Sequence, residues 1–168
     1  LAAAVAVISN FIKIDKLNKN LFKDYIHPSG RGNLKKIKIK KKTIQLIDES
    51  YNSNPLSLKF TLEKYDSLYK YNNKKFLLLG DMLELGKHSK NLHIKIARYL
   101  NNSNINKIFV YGDQIKHTFN KLKPQIRGRV LKNIMDIYKL IKNDLPNNCY
   151  LMVKGSNSTG LNKIIKNL

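Results

Sequence analysis

Apolar residues follow two textures along this chain. From Leu1 to about residue 25 they group as helices: Leu1-Ala-Ala-Ala-Val-Ala-Val-Ile8, then a second piece around Asp15–Tyr25. His27-Pro-Ser-Gly30 breaks that pattern. From Leu34 the spacing changes. Leu34, Ile37 and Ile39 alternate with lysines, and Thr43-Ile-Gln-Leu-Ile47 follows, predicting two strands joined by a tight lysine-rich turn. Beyond it, strand and helix patterns alternate. Leu58, Leu62, Tyr65 and Tyr69 share one helical face, with Asn54 as cap and Pro55 at the first helical position. Phe76–Leu79, Ile108–Tyr111, Arg129–Leu131 and Tyr150–Val153 predict strands; Leu92–Leu100, Gln114–Leu122, Ile134–Ile141 and Leu161–Leu168 predict helices.

Strands that are apolar throughout, separated by amphipathic helices, imply a mostly parallel sheet covered on both faces, an α/β, Rossmann-like architecture. Such sheets bind ligands outside the carboxyl ends of their strands. Here those ends carry Asp48-Glu49, Gly80-Asp81, Gly112-Asp113 and Lys154-Gly155-Ser156. For Gly112 the bland reading, a glycine that lets a strand turn, is preferred.

Composition narrows the class. The chain has 168 residues, 42% of them hydrophobic, enough for one domain with its own core. It opens on Leu1 and runs directly into an apolar segment, which reads as a helix cut in the middle, so the chain is read as a fragment. That segment ends at Ser9-Asn10, well short of the roughly 20 apolar residues a spanning helix needs. The lone Cys149 lies in an apolar strand, which excludes an internal disulfide and agrees with a reducing, cytoplasmic setting. The net charge of +21 suggests nucleic acid at first sight. The lysines are dispersed, however, and arginine is confined to Arg31, Arg98, Arg127 and Arg129. A base reader needs more of the bidentate arginine fork, so a nucleic-acid module is the disfavoured alternative class.

No phosphate-binding loop, no Gly-x-Gly-x-x-Gly and no Cys/His cluster is present; Lys154-Gly155-Ser156 runs in the wrong order for the first. Pattern alone stops at an α/β domain with a polar rim suited to an anion.

Four motifs carry the reading further. Gly30-Arg31, Asp48-Glu-Ser-Tyr-Asn-Ser-Asn-Pro55, Leu79-Gly-Asp-Met-Leu-Glu-Leu-Gly86 with Ser89 and Leu92-His93 after it, and Val153-Lys-Gly-Ser156 occur in that order over nearly the whole chain. Together they resemble the Mur-type ATP-dependent peptide ligases, in the branch that adds D-alanyl-D-alanine to UDP-MurNAc-tripeptide. Sister ligases and folylpolyglutamate synthetases usually show Asp-Tyr-x-His-x-Pro where this chain has Ser50-Tyr-Asn-Ser-Asn-Pro55. The resemblance implies that residues 1–29 end a central ATP-binding domain and 30–168 form the domain that closes over ATP. It also implies amide formation through an acyl phosphate, and Mg2+ held by ligands in the central domain; a monomer is expected.

Residue roles follow from the same resemblance. Arg31 would neutralise charge on the transferring phosphate, and Gly30 and Gly32 would let it hinge. Asp48 or Glu49 would accept the ribose hydroxyls, with Asn52 near adenine or phosphate. Tyr51 and Asn54 are further binding candidates, Asn54 competing with its role as a cap. Asp81, Glu84 and His93 would orient the incoming amine; a turn Asp, a helix-start Glu and a core-flanking His are the bland readings. Lys154 and Ser156 would contact the terminal carboxylate of the dipeptide, against a surface lysine and a helix cap.

Overall fold

The computed structural model describes residues 2–18, 20, 23, 28–68 and 73–168. Helix α1 spans Ala2–Ile8. The second helix expected around Asp15–Tyr25 is not continuous. Ile14–Lys16 makes one tight turn and Leu17 is already extended (ψ 134°). The Asn18 side chain accepts from the Asn20 N–H at 2.9 Å, a local bond that competes with helix propagation. Residues 19, 21, 22 and 24–27, His27 among them, and Tyr69 of the later helical face lie outside the described residues.

The hairpin forms as its alternation dictates: β1 (Asn33–Ile39) and β2 (Lys42–Glu49) pair antiparallel, with Lys40 at φ 53° in the turn. Then follow α2 (Pro55–Leu68), β3 (Lys75–Gly80), α3 (Ser89–Asn101), β4 (Lys107–Tyr111), α4 (Ile115–Phe119), β5 (Arg127–Leu131), α5 (Ile134–Lys139), β6 (Cys149–Lys154) and α6 (Leu161–Lys166). Helix α4 is shorter than its apolar pattern predicts.

The strands form one sheet in the order β1-β2-β6-β3-β4-β5, and every pair except β1/β2 is parallel. Side chains alternate between two cores. Leu77, Leu79, Ile108 and Val110 pack with Leu58 and Leu62 of α2 and Ile96 and Leu100 of α3. Phe76, Leu78, Leu151 and Val153 pack with Ile137 of α5 and Ile164 of α6. Strand β3 is therefore buried along its whole length, which is why its sequence shows no polar alternation.

The last strand inserts between β2 and β3. The helix after β2 covers one face of the sheet and the helix after β6 covers the other. Neighbouring strands whose continuations leave to opposite faces open a crevice at their carboxyl ends. Glu49 and Lys154 are register partners at that point.

Candidate functional site

A polar cleft of about 280 Å³ lies there, lined by Gly30, Arg31, Glu49, Tyr51, Asn52, Asn54, Ser57, Thr61 and Lys154. An apolar recess adjoins it, sharing Glu49 and Thr61 and reaching Met152 and Tyr65.

The chain before β1 enters this cleft through two glycines in the left-handed region, Gly30 (φ 81°) and Gly32 (φ 89°). The Gly32 N–H donates to the Asp48 carbonyl at 2.8 Å, and the Tyr51 N–H donates to the Gly30 carbonyl at 3.1 Å. A Cβ at Gly30 would lie 2.8 Å from the Tyr51 nitrogen, so glycine is needed for contact as well as conformation. These bonds tie the Arg31 segment to the end of β2 in this conformation. The Arg31 guanidinium carbon lies 4.3 Å from the centre of the Tyr51 ring.

The two acids offered for ribose differ in placement. Asp48 is 1% exposed, and its Oδ1 accepts from the Ser50 hydroxyl (2.5 Å) and the Ser50 N–H (3.1 Å). Glu49 lines the cleft, and its Oε2 is 3.9 Å from Lys154 Nζ. Burial raises the Glu49 pKa, with Lys154 and Lys64 opposing. Lys154 is 2% exposed and donates to the Asn52 carbonyl at 2.9 Å. Burial lowers its pKa, and Glu49 opposes that shift. This buried cation thus ties the loop after β2 to β6. The Asn52 side chain accepts from the Ser53 N–H. Asn54 caps α2 by accepting from the Ser57 N–H at 2.8 Å, while Ser57 Oγ accepts from the Asn54 N–H at 3.1 Å. This reciprocal cap uses serine where a Glu or Gln is usual. Ser57 and Thr61 were missed as cleft residues; the Asn54-x-x-Ser57 spacing carried the signal for the first.

The remaining candidates form a second group, after β3. The Asp81 carboxylate accepts from the N–H groups of Ile115 (2.8 Å) and Asp113 (3.1 Å), at the start of α4. A Cβ at Gly112 would overlap that carboxylate. His93 has no exposed surface; its Nε2 accepts from the Met82 N–H at 3.1 Å, so the proton sits on Nδ1, which donates to the Ser89 carbonyl at 2.9 Å. Burial lowers the His93 pKa below its usual value. Ser156 Oγ accepts from the Leu83 N–H at 2.9 Å, and the Ser156 N–H donates to the Asp81 carbonyl. Lys154 and Ser156, grouped in the sequence, therefore serve different places. Glu84 is exposed, at φ 64°.

Cys149 is buried, and burial pushes its thiol pKa to about 11, which leaves it inert. Among the described residues no group of three or more His, Cys, Asp or Glu could hold a metal ion. No helix among them is long and apolar enough to cross a membrane.

Comparison with known proteins agrees with this fold. A family model described as "Mur ligase, glutamate ligase domain" matches residues 31–157. The UDP-N-acetylmuramoyl-tripeptide–D-alanyl-D-alanine ligase of Buchnera aphidicola subsp. Acyrthosiphon pisum is 35% identical over 126 residues, covering 73% of this chain and 26% of that protein. The ligase of the same name from Buchnera aphidicola subsp. Baizongia pistaciae is 32% identical over 171 residues, covering 100% of this chain and 35% of that protein. The crystal structure of MurF ligase from Thermotoga maritima in complex with ADP superposes with a TM-score of 0.68 at 18% identity, covering 98% of this chain and 35% of that one. The chain thus spans about a quarter to a third of the length of the curated relatives it matches. With the glutamate ligase domain matched from Arg31 to Asn157, the chain belongs to the Mur ligase family.

Proposed function

We propose that this chain is the nucleotide-closing, amine-receiving part of a ligase that adds D-alanyl-D-alanine to UDP-MurNAc-tripeptide at the expense of ATP, in the cytoplasm. The observation that carries the reading is the polar cleft between the ends of β2 and β6, where Arg31, Glu49, Tyr51, Asn52, Asn54 and Lys154 converge. The names of the relatives supply the reaction, and the ADP of the Thermotoga maritima complex supplies the nucleotide.

In this reading residues 1–29 end a central domain and residues 30–168 form the closing one. The tripeptide carboxylate attacks the γ-phosphate, and ADP leaves. The amine of D-alanyl-D-alanine then attacks the acyl phosphate and displaces phosphate. Arg31 supplies positive charge where the phosphoryl oxygens gather negative charge. Glu49 is the better ribose acceptor, because the Asp48 carboxylate already accepts two bonds from Ser50. Asp81, His93 and Ser156 act through the loop they hold, and Glu84 presents its carboxylate from it to the incoming ammonium. Mg2+ would neutralise phosphate charge, held by residues outside this chain.

Phosphate release by the full-length protein tests the assignment. Release that requires ATP, UDP-MurNAc-tripeptide and D-alanyl-D-alanine together is expected. Release with a different amino acid in place of the dipeptide would move the chain to a sister ligase.

A further inference from the structure

We propose that Tyr51 is a positioning residue: its ring holds the Arg31 guanidinium over the mouth of the cleft before nucleotide arrives, and residues 30–32 move with the sheet as one body. The proposal rests on the reading of the cleft as a nucleotide site.

Three observations converge on it. The guanidinium carbon sits 4.3 Å from the Tyr51 ring centre, within the range where the electron-rich face of an aromatic ring attracts a cation. Tyr51 is 46% exposed, so the ring is not needed to fill the core, and its position is explained by what it touches on the cleft side. The backbone on either side is pinned. The Gly32 N–H bonds to the Asp48 carbonyl and the Tyr51 N–H to the Gly30 carbonyl, which continue the β1/β2 pairing past the last ladder residue. Gly30 approaches Tyr51 too closely for any Cβ. The backbones that carry the ring and the guanidinium are thus held side by side through a short, closed circuit.

The physical gain is preorganisation. A free arginine side chain loses rotamer freedom when it must meet a phosphate, and a ring beneath it removes part of that loss in advance. Domain closure then delivers the cation in place, and no rearrangement of Arg31's own loop is required.

The test is a double-mutant cycle on the full-length protein, read as phosphate release with all three substrates. Tyr51→Leu keeps an apolar side chain and removes the ring; it is expected to lower kcat about two- to fivefold, the size of an exposed cation–π contact. Tyr51→Phe is expected to restore the rate, because the face of the ring and not the hydroxyl acts. In an Arg31→Ala background Tyr51→Leu should have no further effect. The same loss in both backgrounds, or Phe as damaging as Leu, would overturn the proposal. Should the parent release no phosphate, the ligase reading falls but the positioning is still measured. Tyr51→Leu should then move the Arg31 Nε–H resonance, which the ring current shifts, and an unmoved resonance would sink the proposal.

Discussion

Two groups of polar residues at the same edge of the sheet were singled out by motifs of similar length, and the fold uses them in opposite ways. Around the β2/β6 cleft, side chains of Arg31, Tyr51 and Glu49 face an open volume, while Lys154, Asn52 and the Asn54 cap bond to the protein's own backbone. In the loop after β3, Asp81, His93 and Ser156 each accept a backbone N–H from that loop or from the start of α4. A buried polar group without a partner costs on the order of 1–3 kcal/mol, so these residues are retained by the loop's own backbone whatever they do for substrate. The difference teaches that a polar motif identifies a site, while the direction of its lone pairs decides which members touch a ligand.

The comparison predicts opposite signatures for substitution. Arg31→Ala should lower phosphate release by about 10²-fold or more, the scale of losing one preorganised charge stabiliser. As a surface change it should leave unfolding free energy within about 0.5 kcal/mol. A protein that instead unfolds in less denaturant would make Arg31 a structural residue. His93→Ala should behave in reverse, losing about 3 kcal/mol in urea unfolding through a cavity and the orphaned Met82 N–H. Unchanged stability with a raised KM for dipeptide would return His93 to the substrate. Asp81→Ala removes a cap from α4 and should cost about 1 kcal/mol by the same assay. The smallest effect is in pH.

Burial holds the His93 pKa below its ordinary value of 6.5. The unfolded chain therefore takes up a proton as the pH drops through that value, while the folded chain resists. Stability from this group is fully present above the ordinary value and is lost as pH falls toward the folded one. The urea midpoint should consequently fall between about pH 7.5 and 5.5. His93→Gln, which can keep both bonds but does not titrate, should flatten that part of the slope. An equal slope in both proteins would mean that His93 is solvated. Glu49 has the opposite sign, because burial raises its pKa above 4.5. Its share is present below that value and declines as pH rises through the folded pKa.

The strands and the sheet class were legible because burial on both faces forces continuous apolar runs, as in Phe76–Leu79 and Tyr150–Val153. The cap at Asn54 and Pro55 was legible because capping is local chemistry. The segment around Asp15–Tyr25 was misjudged at its start: periodicity there outvoted Asn18, whose side chain offers the backbone a competing bond. The glycines at 30 and 32 were legible as a pair that permits unusual backbone angles, and only the tertiary structure revealed the close approach of Tyr51 to Gly30.

By itself the sequence determined the alternation of elements, the polar rim and the family, because each is written in residues a few positions apart. The tertiary structure alone decided that β6 inserts between β2 and β3 and so brings Lys154 beside Glu49, 105 positions earlier in the chain. It also decided that Glu49 faces the cleft while Asp48 turns inward. In a strand, adjacent side chains point to opposite faces, so one step in register separates a ligand from a buried brace. Which face is which depends on the helices that cover the sheet, and no local pattern records that choice.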